Sequence, residues 1–102
     1  MAIAAITAAE LLVGVELSHG KGKLRRGGFV DDVLASIPIE PYDLEVARAH
    51  ARLLAYTRRS GRPRGAHDLL IAATAASRNR TVVTADPAGF ADLPEVALRV
   101  EG

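Results

Sequence analysis

An α/β fold is predicted, a short parallel sheet with helices on its faces, and three features of the sequence point to it. Short apolar or β-branched runs (Ala2 to Ile6, Ile37 to Asp43, Thr81 to Thr84, Ala97 to Val100) alternate with longer stretches of helical spacing. That is the order parallel strands joined by crossover helices require. One stretch, Asp68 to Ser77, is apolar on nearly every face, which marks a helix enclosed by neighbours. At 102 residues, 49% hydrophobic and 25% charged, the chain has globular composition and the length of a single domain over residues 1–102.

The elements follow in order. Ala2 to Ile6 is too brief for a helix and reads as a strand, and Thr7-Ala-Ala-Glu10 has the form of a capping box for a helix from about Ala8 to Leu17. Ser18-His19-Gly20 ends that helix, because glycine accepts the left-handed cap conformation. A basic loop with Lys21 and Lys23 leads to a second helix, about Leu24 to Ser36, interrupted by Gly27 and Gly28. The two prolines in Ile37-Pro-Ile-Glu-Pro-Tyr-Asp43 exclude helix and favour an edge-like strand. Asp43 caps a third helix, whose stripe of Val46, His50, Leu53, Leu54 and Thr57 runs to the breaker Ser60-Gly-Arg-Pro-Arg-Gly65. The enclosed helix comes next, then the strand Thr81–Thr84, one helical turn at Ala88–Ala91, and a last strand at Ala97–Val100.

Composition narrows the function. Without cysteine there is no disulfide framework, no thiolate metal site and no thiol nucleophile, and a reducing, cytoplasmic setting is the simplest reading. The chain opens without a basic targeting region, and no apolar run approaches the ~20 residues of a membrane helix, so no membrane association is expected. Two Tyr, two Phe and no Trp are too few rings for a base-stacking platform. Charge nearly cancels overall, yet Lys21, Lys23, Arg25 and Arg26 cluster, and six arginines lie between Glu45 and Asp68 with no acid among them. Solvated helix faces and an anionic partner explain this equally well.

In open parallel sheets ligands bind beyond the carboxyl ends of the strands, and three acids fall there: Glu10 after the first strand, Asp68 opening the enclosed helix, and Asp86 just past Thr84. Convergent carboxylates can hold a hard cation such as Mg²⁺ beside a phosphodiester. Each acid also has a purely structural reading: Glu10 closing a capping box, Asp68 capping a helix, Asp86 forming a turn before Pro87. His50 lies on an apolar stripe, His19 in a cap, and His67 beside Asp68 points elsewhere on its helix. No Ser-His-Asp motif and no glycine-rich phosphate loop is present.

Taken together, Ile6-Thr-Ala-Ala-Glu-Leu11, Gly65-Ala-His-Asp-Leu-Leu-Ile-Ala-Ala73 and Val82-Val-Thr-Ala-Asp86 running to Phe90 resemble the acidic motifs of the PIN-domain family, most closely the VapC-type toxins of toxin–antitoxin pairs. The likeness covers nearly the whole chain, and the Gly-x-His-Asp-Leu-Leu-Ile-Ala-Ala stretch is its most specific part. It implies a three-layer PIN-like fold and a Mg²⁺- or Mn²⁺-dependent endoribonuclease held inactive by a cognate antitoxin protein. Carried onto this sequence, Glu10, Asp68 and Asp86 would be the catalytic, metal-binding acids, with Thr84 as the hydroxyl beside them. Lys21, Lys23, Arg25, Arg62 and Arg64 would meet the RNA backbone or the antitoxin, since phosphate contacts give affinity without sequence choice.

The pattern departs from the family in two places. Relatives begin with a strand ending in Asp, whereas this sequence opens at what would be the second strand, so an N-terminally truncated domain is expected. Gly89 also stands where many relatives carry an acid before the Phe. An alternative reading is therefore a catalytically inactive remnant that only binds an antitoxin or forms a homodimer. A small nucleotide-binding domain is a third, without the glycine fingerprint it needs. With a central strand lacking, the runs at Ala2–Ile6 and Thr81–Thr84 either pair with each other or leave open edges that invite association.

Overall fold

The computed structural model describes residues 1–102. In chain order it contains β1 (Ile3–Ala4), α1 (Ala5–Glu16), α2 (Gly20–Ser36), β2 (Ile39–Glu40), α3 (Leu44–Ser60), α4 (Ala66–Ser77), β3 (Thr81–Thr84), a 3-10 turn (Pro87–Gly89) and β4 (Ala97–Val100). The chain divides into two units, Met1–Pro41 and Tyr42–Gly102.

In the first unit, β1 and β2 pair in parallel through Ile3 with Ile39 and Ala4 with Glu40. The expected strand over Ala2–Ile6 is thus only two residues long. Its partner lies between Pro38 and Pro41, neither of which can donate to a ladder, so a longer strand would have nothing to bond. The alanine-rich continuation takes the helix that alanine favours, and α1 begins at Ala5. Consequently the expected capping box does not form. Thr7 lies inside α1, and the N-cap is Ala4 with no side-chain bond.

The loop expected around Lys21 and Lys23 is also helical: α2 starts at Gly20 and runs unbroken through Gly27 and Gly28. Gly20 does adopt the left-handed conformation, φ +57°, but it opens α2 as well as ending the turn from α1. Glycine costs a helix about 1 kcal/mol per residue, and packing against α1 offsets it. Arg26 donates to the Gly14 carbonyl at 3.3 Å, Lys23 pairs with Glu16 at 3.8 Å, and Val30 is buried.

In the second unit, helix α3 has the ends its sequence promises. The Asp43 carboxylate accepts the Val46 N–H at 3.1 Å, Glu45 and the Arg58–Arg59 pair stand at the helix ends that suit their charges, and Gly61 closes it at φ +69°. Val46, Ala49, Leu53 and Thr57 form its buried stripe. They pack against Leu69, Ala72 and Ala73 of α4, with Val82, Phe90 and Leu93 completing the core. The alanines let the two helices approach closely. Thr57 and Thr74, both buried, return their hydroxyls to the Leu54 and Leu70 carbonyls at 2.9 and 2.7 Å, so neither leaves a polar atom stranded.

Arg78, at the C-terminal end of α4, donates to Asp43 at 2.7 Å and to Glu45 at 3.4 Å, fastening that end to the start of α3. Strands β3 and β4 pair in parallel from Thr81 with Ala97 to Thr84 with Val100. The parallel α/β class is as expected, but the strands form two separate two-stranded ladders. Strands β1 and β3 are not partners of each other.

The Val46 N–H bond first, and then the Arg78 guanidinium, hold the Asp43 carboxyl below the ordinary aspartate range. A lowered folded-state pKa gives stability that is present above the unfolded value of about 4 and is lost as pH falls through the folded one. Asparagine keeps the capping oxygen but cannot titrate. Thermal midpoints of Asp43→Asn should therefore lie below wild type at neutral pH and converge with it toward the acid end. A constant offset at every pH would show that Asp43 contributes no titrating stability.

Candidate active site

The site is built where β3 ends. Thr84 is half-buried, and its hydroxyl donates to the Asp86 carbonyl and accepts the Asp86 N–H, both at 3.1 Å. This side-chain bridge turns the chain out of the strand. The exposed Asp86 then caps the 3-10 turn by accepting the Ala88 N–H at 3.2 Å, with Pro87 at the turn's first position. Phe90 and Ala91 both donate to the Pro87 carbonyl at 2.9 Å, and the Phe90 ring is buried in the core. The helical turn expected at Ala88–Ala91 is displaced by one residue, because Pro87 is pre-set for the first position of a helix.

Asp68 stands in the first turn of α4, behind Ala66 and His67, and the N-cap is Gly65. Asp68 is therefore not the capping residue. Its carboxylate lies between two glycine backbones. A Cβ placed on Gly65 would sit 3.4 Å from Oδ2; one placed on Gly89 would overlap Oδ2 and stand 2.8 Å from Cγ. The fold thus brings Asp68 against the turn that Asp86 opens. Glu10 is exposed on α1, in the other unit.

In neither unit do three His, Asp or Glu side chains converge as a ligand set for an ion. The donors nevertheless suit a hard divalent cation. Carboxylate oxygens are its preferred ligands, and two side-chain-less walls leave the Asp68 carboxylate unobstructed by neighbouring side chains at positions 65 and 89. Like charges at close range oppose each other, so a gathered set of acids needs a cation between its members.

The basic residues divide by role. Lys21 and Arg25 are exposed on α2, and Lys23 is the partner of Glu16. Arg62 reaches Asp92 at 3.5 Å on the surface. Arg64 is a strut: it donates to the Arg62 and Ala91 carbonyls, both at 2.7 Å, and its Nε is buried without a partner. It ties the loop before α4 to the segment after the 3-10 turn. His50 shares a 3.0 Å hydrogen bond with the Tyr42 hydroxyl, as a boundary residue should, and His19 is the N-cap of α2 without a side-chain bond.

The second unit also carries a recess of about 520 Å³ between α3 and the segment at Pro94–Glu95, lined by Tyr56 and Arg59 among others and by none of the acids above. There Arg52 and Glu95 form a two-pronged ion pair at 2.8 Å, and the Arg52 guanidinium holds the Glu95 carboxyl below its ordinary value. Sequence reasoning missed the Gly65–Gly89 slot and the fastening role of Arg78. No local pattern signals either, since each depends on segments that meet only in the folded unit.

Comparison with known proteins agrees with this architecture. The PIN domain family profile matches residues 1–96. A Ribonuclease VapC from Rickettsia bellii is 31% identical over 94 residues, covering 89% of this chain and 69% of the relative. Among solved structures, VapBC2 from Rickettsia felis, bound to a DNA fragment from its promoter, superposes with a TM-score of 0.89 at 30% identity, over 99% of this chain and 74% of that one. VapBC-5 from Mycobacterium tuberculosis, described as a toxin–antitoxin system, gives 0.85 at 32% identity over 98% and 81%. The chain belongs to the PIN-domain family, with the VapC ribonucleases as its kin.

Proposed function

We propose that this chain is a toxin of VapC type, an endoribonuclease that hydrolyses RNA phosphodiester bonds with Mg²⁺ or Mn²⁺ and is neutralised by a cognate antitoxin protein. The observation that carries the reading is the Asp68 carboxylate set against Gly89, in the 3-10 turn that Asp86 caps, in a PIN-domain chain. Asp68 and Asp86 are the carboxylates that would hold the cation, and Glu10 is assigned to the same task by its place in the Thr-Ala-Ala-Glu-Leu motif. When bound, such an ion supplies Lewis acidity at the scissile phosphate and lowers the pKa of water.

The chain's own residues do the positioning. Thr84 fixes the backbone from which Asp86 projects. Lys21, Lys23, Arg25 and Arg62 neutralise backbone phosphates of the RNA or acidic groups of the antitoxin, and Arg64 holds the loop that presents Arg62. In this reading the 102 residues act as one PIN-like domain that works as a homodimer in the cytoplasm. No helix is long and apolar enough to cross a membrane.

The test is cleavage of a fluorescent RNA by the chain with Mg²⁺ or Mn²⁺, with and without a chelator. Cleavage that stops on chelation and returns with added metal supports the assignment. Cleavage that persists in excess chelator would overturn it.

A further inference from the structure

The partners of Arg64 are carbonyls, not acids. Its two terminal nitrogens donate to the Arg62 and Ala91 carbonyl oxygens, both at 2.7 Å, while its Nε is enclosed without a partner. Enclosing a charged group and a donor on these terms is costly. The same loop offers the cheaper course, because Arg62 turns its side chain out to 61% exposure. Arg64 stays half-buried instead, and its fork has a place in the fold that explains why.

The two carbonyls belong to the segments that carry the acids. Arg62 lies in the loop running into Gly65, the N-cap of α4, whose first turn holds Asp68. Ala91 closes the turn that Asp86 caps, donating its own N–H to the Pro87 carbonyl at 2.9 Å. Arg62 and Leu69 direct their N–H groups to Thr57 and Gly65, on the α3–α4 side. The Arg62–Asp92 pair also crosses between the segments, but at 3.5 Å and in solvent, where ion pairs contribute little. Within the fork, the bond to Arg62 orients the guanidinium against its own loop, and the bond to Ala91 then fixes the turn relative to that loop. A planar guanidinium sets both directions at once.

From this geometry we infer that Arg64 is a positioning residue for the acids and not a phosphate contact: by tying the loop that opens α4 to the end of the turn that Asp86 caps, it sets where Asp68 and Asp86 stand relative to each other. The inference rests on the reading of these two acids as metal-binding, proposed above.

The experiment compares Arg64→Lys, which keeps the charge and loses the fork, with Arg64→Gln, which loses both but retains an amide donor. Each full chain is measured below the onset of its own thermal unfolding by three readouts: Mn²⁺ affinity by calorimetry without RNA, backbone amide shifts of Asp68 and Asp86 in metal-free protein, and the salt dependence of binding to a fluorescent single-stranded RNA in chelator. Both variants should weaken Mn²⁺ binding by about tenfold or more and move both amides, with the salt slope as in wild type. A slope flattened by about 0.7 in Arg64→Gln and restored in Arg64→Lys is the mark of a phosphate contact and would overturn the inference, as would wild-type Mn²⁺ affinity in Arg64→Lys. Should Asp68→Asn leave Mn²⁺ binding unchanged, the metal assignment fails separately, and the amide shifts and the salt slope still decide the role of Arg64.

Discussion

Replacing Asp68 by asparagine should lower metal-dependent RNA cleavage by about a thousandfold or more, since a bound ion contributes several kcal/mol of charge stabilisation and each 1.36 kcal/mol is a factor of ten. Asparagine has the shape of aspartate, so the slot between Gly65 and Gly89 still accommodates it. It offers one neutral oxygen where a carboxylate offers two that share a negative charge. The fold should hardly register the change. Asp68 is not the N-cap of α4, and its charge in the first helical turn adds only the modest dipole term of about 0.3–1 kcal/mol. Rates measured on a fluorescent RNA at equal protein concentration, beside thermal midpoints, separate the two effects. Unchanged turnover in Asp68→Asn would remove Asp68 from the chemistry.

The largest expected loss of stability is at Leu53, fully buried in the core between α3 and α4. Leu53→Ala removes its apolar contacts and leaves a cavity that close-packed neighbours fill only in part, at a cost of about 2–5 kcal/mol. Domains of this size are stable by only about 5–15 kcal/mol. Urea denaturation should therefore show the midpoint falling sharply, with a fraction of the variant unfolded before denaturant is added. Leu24→Ala is the contrast, because Leu24 is 78% exposed and its loss should stay within about 0.5 kcal/mol of wild type. Equal effects at the two positions would mean that the second unit's core does not set stability.

What could be read from the chain in advance follows the physics of each element. The boundaries of β3 were legible because the β-branched run Thr81-Val-Val-Thr84 between polar or small neighbours favours strand locally. The ends of α3 were legible because Asp43 and Gly61 solve the unsatisfied-backbone problem within a few residues. The junction of β1 and α1 was not, since its position is set by how much partner strand the prolines at 38 and 41 leave, a fact about pairing. The persistence of α2 through Gly27 and Gly28 likewise depends on packing against α1. At the site, the acids announce themselves by motif, yet the closeness of Asp68 to the backbone at Gly89 arises only when α4 and the β3–β4 connection pack together.

That connection has a topological consequence. Thr84 leads out of β3, Asp86 and Gly89 follow, and the chain must return to lay β4 alongside β3 from the same end. Asp86 and Gly89 therefore sit on an arch whose two feet are clamped by one ladder and whose middle is pinned by Phe90 and Leu93. An arch keeps its shape only while both feet hold. Strand β4 carries none of the acids assigned to the site, but Val100 pairs with Thr84 and the Glu101 N–H donates to the Thr84 carbonyl at 2.9 Å, so fraying the last residues would slacken Asp86 and Gly89 together.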